Sequence, residues 1–382
     1  MVFLALILNL FILSFPAFSQ HAGSRDIPIE ALRIAYSLDD NTLAAQVMLT
    51  GIDGKSSLSP AMRNLLGKIP AGGIMLFRYN LDSPKADVKK FLDETARAAA
   101  ANTENKTRLL PFMAVDHEGG LVHRFGPGVE KLPSAFSFWE LAQKDGRDAA
   151  LALAETLYRR SAKEIRELGI TMVLGPVAEV LNDENRLFLE TRSYGSDPDF
   201  VQAAASVYIK CMDAAGIACV VKHFPGNTAS DPHSGVSVLS ADKSVLDEMV
   251  RPFAGIIGGI SPAALMLSHA MVPAVDSKRN ASLSAPVMEL WLRGELKFSG
   301  IILADDFSMG AVAASGLGPA EAAVEALNAG ADMVMAWPQN LAEVHREILN
   351  ALNGGRLSRE RLWDAAARII SAKMRYGLIT LQ

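Results

Sequence analysis

The apolar, β-branched run Ala218-Cys219-Val220-Val221 ends abruptly in Lys222-His223, turns at Pro225-Gly226 and enters a polar loop carrying Asp231 two residues before His233. A carboxylate beside an imidazole is a sensible proton-transfer unit, because it orients the ring and supports its positive charge. Other apolar runs end in the same way: Arg78 and Asn80, Asp116 with Glu118 and Arg124, Glu179, His269, and the pair Asp305-Asp306. Taken singly, Arg124, Glu179 or Arg192 suits a rim salt bridge, and Asp231-Pro232-His233 suits a polar turn. As a set they require a fold that brings strand ends together.

Eight short runs rich in Val, Ile, Leu and Met recur along the chain: Ala44–Gly51, Gly73–Phe77, Pro111–Asp116, Ile170–Pro176, Ala218–His223, Ala263–His269, Gly300–Asp306 and Ala331–Trp337. They lack polar alternation, as expected of strands covered on both faces. Amphipathic stretches lie between them, including Ser83–Ala101, Ala149–Leu168, Asp197–Ala215 and Pro319–Ala329, and Ser358–Tyr376 closes the series. Proline stands at plausible first-turn positions in Ser83-Pro84 and Gly318-Pro319. This pattern predicts an α/β fold, a single (β/α)8 TIM-type barrel, whose strand C-termini converge on one mouth. An open doubly wound sheet is the alternative, but no Gly-rich dinucleotide fingerprint follows an early strand. Residues 120–145 read as a loop covering part of the mouth, and no second domain is expected after residue 30.

The chain has 382 residues, half of them hydrophobic, and a net charge of −5. No basic tract argues for nucleic acid. The two cysteines, Cys211 and Cys219, suit buried side chains better than a disulfide framework or a thiolate metal site. Residues Val2–Phe18 are almost wholly apolar, and Ala17-Phe18-Ser19 offers small residues at −3 and −1 of a cleavage point. The expectation is a signal peptide over residues 1–19, or an uncleaved N-terminal anchor, since no Lys or Arg precedes Arg25. Export to the periplasm or the medium follows, with membrane contact only if that segment is retained, and the barrel domain spans residues 30–382.

Several long motifs in fixed order carry a resemblance. Val115-Asp116-His117-Glu118-Gly119-Gly120-Leu121-Val122-His123-Arg124-Phe125, Lys222-His223-Phe224-Pro225-Gly226, Asp231-Pro232-His233 and Ala304-Asp305-Asp306-Phe307-Ser308-Met309 resemble glycoside hydrolase family 3. Within it they are similar to the single-domain bacterial β-N-acetylglucosaminidases. Gly72–Phe77 and Arg192-Ser193-Tyr194-Gly195 add to the likeness, which runs from about Leu43 to Gly377.

The resemblance implies a retaining exo-β-N-acetylglucosaminidase acting on chitooligosaccharides or peptidoglycan fragments, as in peptidoglycan recycling, with no metal or other cofactor. It makes Asp305 the nucleophile that forms a glycosyl-enzyme, and it makes His233 the acid/base with Asp231 holding its tautomer. It implies substrate binding by Asp116, Arg124, Arg192, Lys222 and His223, whose charge-assisted bonds would orient the sugar. Alternation along a strand allows only one of Asp305 and Asp306 to face the mouth, which leaves Asp306 as a capping or buried orienting carboxylate. Glu118 is expected to support the Gly119-Gly120 loop, and His269 is a lesser candidate for lining the mouth.

The sequence departs from the family pattern at Asn227-Thr228, in a dyad loop two residues shorter, at Pro232, at Glu179 where Asp is common, and at Leu121 where Arg is common. Other readings are a β-glucosidase or glycoside phosphorylase on the same barrel, a catalytically impaired sugar-binding protein, and a metal-dependent barrel hydrolase. The last lacks paired His ligands at His-x-His or helical spacing.

Overall fold

The computed structural model describes residues 27–103, 107–229, 235, 237–308 and 316–381. The leader segment Val2–Phe18 and the dyad Asp231 and His233 lie outside the described residues. Eight parallel strands form the centre: β1 (Met48–Gly51), β2 (Gly73–Leu76), β3 (Phe112–Gly119), β4 (Met172–Val177), β5 (Ala218–Phe224), β6 (Ala264–Leu267), β7 (Ile301–Ala304) and β8 (Val334–Met335). Each pairs with the next in sequence from β1 to β7, and β8 pairs with β1. A parallel bridge between Leu303 and Met333, with the Ala304 amide donating to the Met333 carbonyl at 3.0 Å, joins β7 to β8. The sheet therefore closes, and all eight apolar runs supply strands of one barrel.

The first run was read too long. Helix Asp40–Gln46 occupies its beginning, held at its start by Asp39, whose side chain accepts from the Thr42 amide. Residues 120–145 are also more ordered than a loop. Val122–His123 pairs antiparallel with β3, and Ala135–Asp145 is helical. Ser134 begins that helix by accepting from the Ser137 amide. Gly119 turns the hairpin at φ +89°, where a Cβ would come within 2.2 Å of the Pro133 carbonyl oxygen. Two small antiparallel sheets, Met271–Val272 with Asp276–Asn280 and Ala101–Asn102 with Thr107–Leu109 and Ile379–Leu381, were not foreseen.

Helices surround the barrel, among them α1 (Pro60–Lys68), α2 (Lys85–Ala98), α3 (Arg147–Leu168), α4 (Pro198–Ala214), α5 (Lys243–Ile260), the π-helical α6 (Pro286–Glu295), α7 (Pro319–Ala329), α8 (Leu341–Asn353) and α9 (Arg359–Arg375). One hydrophobic core links them to the strands. Between β5 and its covering helices, Phe224 meets Phe253 of α5 at 5.5 Å and Trp291 of α6 at 5.0 Å, both edge-on. At the N-terminal end of the barrel, Asp332 accepts from Arg293 at 2.6 Å, from Arg361 at 2.8 Å and from the Ile302 amide at 2.9 Å. These contacts tie α6 and α9 to the closing strands.

Lys373 of α9 is fully buried, with no carboxylate partner among the described residues. Its ammonium donates to Gln46 Oε1 at 2.7 Å, and Gln46 Nε2 donates to the Pro70 carbonyl at 2.7 Å. Burial pulls its pKa down to about 7. Between pH 7 and the ordinary lysine value the unfolded chain holds a proton that the folded chain lacks, so this group makes stability rise with pH across that window. Below it both states are protonated and the whole desolvation cost applies. Lys373→Met removes that cost but leaves Gln46 Oε1 unpaired. The variant is expected to be more stable than the parent at pH 6.5 by about 2 kcal/mol. Thermal melts of both proteins at pH 6.5 and 9.5 check this: the advantage must shrink at the higher pH.

Candidate functional site

A cavity of about 360 Å³ opens at the C-terminal ends of the strands, with Met75, Leu174, Met266 and Met335 as its apolar floor. Asp116, Glu118, Arg124, Arg192, Lys222, His223, Asp305 and Asp306 all line it. Six of the eight site residues expected from the sequence thus meet in one place, and Asp231 and His233 lie outside the described residues.

Lys222, near the end of β5, is buried and central. Its ammonium lies 2.8 Å from Asp116 Oδ1 and 2.7 Å from Glu118 Oε1, both on β3. Arg192 grips Glu118 with two parallel bonds, Nε to Oε2 at 2.8 Å and Nη2 to Oε1 at 2.9 Å. Arg124 reaches Asp116 Oδ2 only at 3.4 Å. Burial pushes the Asp116 carboxyl up, but Lys222 outweighs it and holds the group below the usual carboxylate range. The same contest, decided by Lys222 and Arg192, holds Glu118 well below that range. Lys222 is raised because its two carboxylates outweigh the effect of burial, and Arg192 is raised for the same reason. The four groups form an ionised, preorganised array. Glu118 is therefore a strut between Lys222 and Arg192, not a support for the glycine loop as expected.

His223 is fixed by a second, buried carboxylate. Its Nδ1 lies 2.6 Å from Glu179 Oε1, while Asn227 donates to Glu179 through its amide at 2.7 Å and its side chain at 3.0 Å. The Nδ1–Glu179 contact fixes the orientation of the ring and turns its Nε2 edge away from Glu179. Asn227, one of the departures from the family pattern, holds Glu179, another of them.

Both Asp305 and Asp306 line the cavity, contrary to the alternation argument. Strand β7 ends at Ala304, so the two carboxylates sit in the following turn, where strand periodicity no longer applies. Asp305 Oδ1 accepts from the Asp306 amide at 2.8 Å, leaving Oδ2 for other partners. Asp306 caps the turn through the Ser308 amide at 2.8 Å and its hydroxyl at 2.7 Å. His269 does not line the cavity. It is buried behind the turn, its Nε2 donating to the Asp306 carbonyl at 2.9 Å and its Nδ1 lying 2.6 Å from Ser282 Oγ. Burial holds its pKa below the ordinary value, so it stays neutral. Asn80 is likewise structural, accepting from the Phe77 amide and donating to the Gly54 carbonyl.

The sequence reading missed an aromatic wall. Phe77 and Trp337 both line the cavity, with ring centroids 5.4 Å apart, and Phe188 lies beneath the Arg192 guanidinium at 5.7 Å. Phe77 and Trp337 end the second and eighth apolar runs, and that position was the signal for both. The site as a whole joins one carboxylate oxygen without a hydrogen-bond partner among the described residues, a charged array for polar groups and apolar surface for a ring. That combination suits a small polyhydroxylated molecule.

Comparisons with known proteins agree with this geometry. The model of the glycosyl hydrolase family 3 N-terminal domain matches residues 43–372. A beta-hexosaminidase of Methylococcus capsulatus is 34% identical over 305 residues, covering 77% of this chain and 83% of its own. A beta-hexosaminidase of Idiomarina loihiensis is 31% identical over 82% of this chain and 96% of its own. The chain spans 56% of the length of the longer beta-hexosaminidase A of Pseudoalteromonas piscicida, at 27% identity. Among solved structures, a glycoside hydrolase family 3 beta-N-acetylglucosaminidase from Paenibacillus superposes with a TM-score of 0.81 at 28% identity, over 89% of this chain and 63% of that one. A Neisseria gonorrhoeae protein solved with N-trifluoroacetyl-D-glucosamine gives 0.71 at 25% identity, over 85% and 89%.

Proposed function

The chain belongs to glycosyl hydrolase family 3, and from that premise we propose that it is a retaining exo-β-N-acetylglucosaminidase that releases terminal β-linked N-acetylglucosamine. One observation carries the reading: the Asp305 carboxylate shares a single cavity with the ionised Asp116–Lys222–Glu118–Arg192 array. A carboxylate whose Oδ2 has no hydrogen-bond partner among the described residues suits attack on an anomeric carbon while the array holds the sugar's polar groups.

In this scheme Asp305 Oδ2 attacks C1 as the C1–O bond to the aglycone breaks, and His233 gives its proton to the departing oxygen. The product is a glycosyl ester on Asp305. His233 then takes a proton from water, which attacks C1 and frees Asp305, with net retention. Asp231 orients the imidazole and supports its charge. Asp116 accepts from sugar hydroxyls. Lys222, Arg192, Arg124 and His223 donate to hydroxyls or the acetamido oxygen. A chitooligosaccharide or a peptidoglycan fragment supplies such a sugar.

The test compares p-nitrophenyl N-acetyl-β-glucosaminide with the β-glucoside, with and without phosphate and after exhaustive chelation. Expected is chelation-resistant hydrolysis of the N-acetylated substrate, unaffected by phosphate and giving the β-hemiacetal first by NMR. Preference for the glucoside, a glycosyl phosphate product or loss on chelation would each replace the reading. His233→Ala is expected to lose activity unevenly, because a good leaving group needs no proton. The loss should be about tenfold with p-nitrophenolate and about a hundredfold or more with a sugar leaving group. Equal losses across a series of leaving groups would remove His233 from the acid role.

A further inference from the structure

Glu179 lies two residues past the end of β4 and outside the lining of the cavity, yet three parts of the site meet on it. Its carbonyl accepts from the Ser193 hydroxyl at 2.7 Å, next to Arg192. Its Oε1 lies 2.6 Å from His223 Nδ1 and accepts from the Asn227 side chain at 3.0 Å, while its Oε2 accepts from the Asn227 amide at 2.7 Å. Glu179 is 2% exposed, so water does not compete for these bonds. The far side of the imidazole packs edge-on against Phe188, with ring centroids 6.4 Å apart. One carboxylate thus couples the position of the His223 ring to the path of the chain just beyond it.

That path leads to the dyad. Gly226 turns at φ +143°, a region that favours glycine, and so aims the Asn227 amide at Oε2. Thr228 Oγ1 then lies 2.7 Å from Ser237 Oγ, and both residues are buried. Past that pair, the Met271 amide donates to the Ser237 carbonyl and the Leu239 amide donates to the Met271 carbonyl, each at 2.8 Å. Residues 228 and 237 therefore stand side by side, and the stretch of sequence between them contains Asp231 and His233. Asn227, gripped by Glu179, is the residue that enters this junction.

We infer that Glu179 is a positioning residue for catalysis: through His223 it sets the grip on the sugar, and through Asn227 it sets where the segment bearing Asp231 and His233 leaves the barrel. The inference rests on the glycosidase reading above, with His233 as the acid. Only a carboxylate offers two accepting oxygens at this place. The Asn227 amide and side chain sit on different oxygens, so in Glu179→Gln the new NH2 faces one of these donors whichever way it turns. The substitution keeps the volume, and the cost falls on alignment. A misplacement of about 1 Å at a reacting group can cost about a hundredfold in rate.

The experiment measures kcat and KM on p-nitrophenyl N-acetyl-β-glucosaminide and on N,N′-diacetylchitobiose with the parent, Glu179→Gln, Asn227→Ala and His233→Ala. Nitrophenolate leaves the first substrate without a proton, whereas the sugar leaving the second needs the acid. Glu179→Gln is expected to raise KM on both, and to lower kcat/KM about tenfold on the first and about a hundredfold on the second. The ratio between substrates does not depend on how much of the protein is folded, so a merely structural role would leave it unchanged. Asn227→Ala keeps the amide bond to Oε2 and loses only the side-chain bond to Oε1. Its ratio should move the same way by about threefold, and it decides the matter if Glu179→Gln does not fold. Unchanged ratios in these variants, beside an uneven loss in His233→Ala, overturn the inference and leave the glycosidase reading standing. Equal losses in His233→Ala remove the acid and the inference with it, and a parent inactive on both substrates overturns the glycosidase reading itself.

Discussion

Asp305→Asn is expected to lower hydrolysis of p-nitrophenyl N-acetyl-β-glucosaminide by about four orders of magnitude or more, with the fold unchanged. Asparagine is nearly isosteric, and its carbonyl oxygen can still accept from the Asp306 amide as Oδ1 now does, so the turn survives while the nucleophilic charge is gone. Asp306→Asn should cost far less activity and some stability, because that carboxylate is occupied by the Ser308 amide and hydroxyl. A 5-fluoro glycosyl fluoride that traps the ester distinguishes the two neighbours, since fragmentation of the labelled peptide places the sugar on one residue. A label on Asp306, or no label in an active enzyme, would sink the assignment.

Much of this is legible in the sequence because the informative residues break a pattern. Asp116, Lys222 and Asp305 each end or follow an apolar run, and a charge there demands an explanation that a surface charge does not. Eight such runs sufficed for the barrel, since parallel strands covered on both faces tolerate little besides apolar residues. What escaped depends on partners distant in sequence. Glu118 meets Arg192 across 74 positions, and Glu179 meets His223 across 44, so nothing local to either carboxylate announces its role. The helix Ala135–Asp145 was hidden because Pro127 and Pro133, with the surrounding glycines, dominate the reading of the segment before it. Asp305 and Asp306 escaped the alternation rule because the strand stops two residues before the end of the run Gly300–Asp306.

Lys222→Met carries the second large effect, and it separates binding chemistry from mere structure. The substitution keeps most of the side-chain volume but removes the cation shared by Asp116 and Glu118. Glu118 keeps both bonds to Arg192, whereas Asp116 keeps only the long contact to Arg124. The loss of one preorganised charged donor to the sugar is expected to lower kcat/KM by about two to three orders of magnitude. The depressed Asp116 carboxyl should also rise towards or above its ordinary value, since burial then acts without the cation that opposed it. A depressed carboxylate contributes stability that is present above its unfolded pKa and lost as pH falls through the folded value. Without Lys222 that contribution weakens, and acid unfolding should begin at higher pH than in the parent. Lys222→Arg keeps the charge but not the compact geometry, and should recover the acid stability better than the activity. If Lys222→Met shifts the acid transition yet leaves kcat/KM at neutral pH intact, Lys222 is only a strut between carboxylates and the sugar is held by other groups.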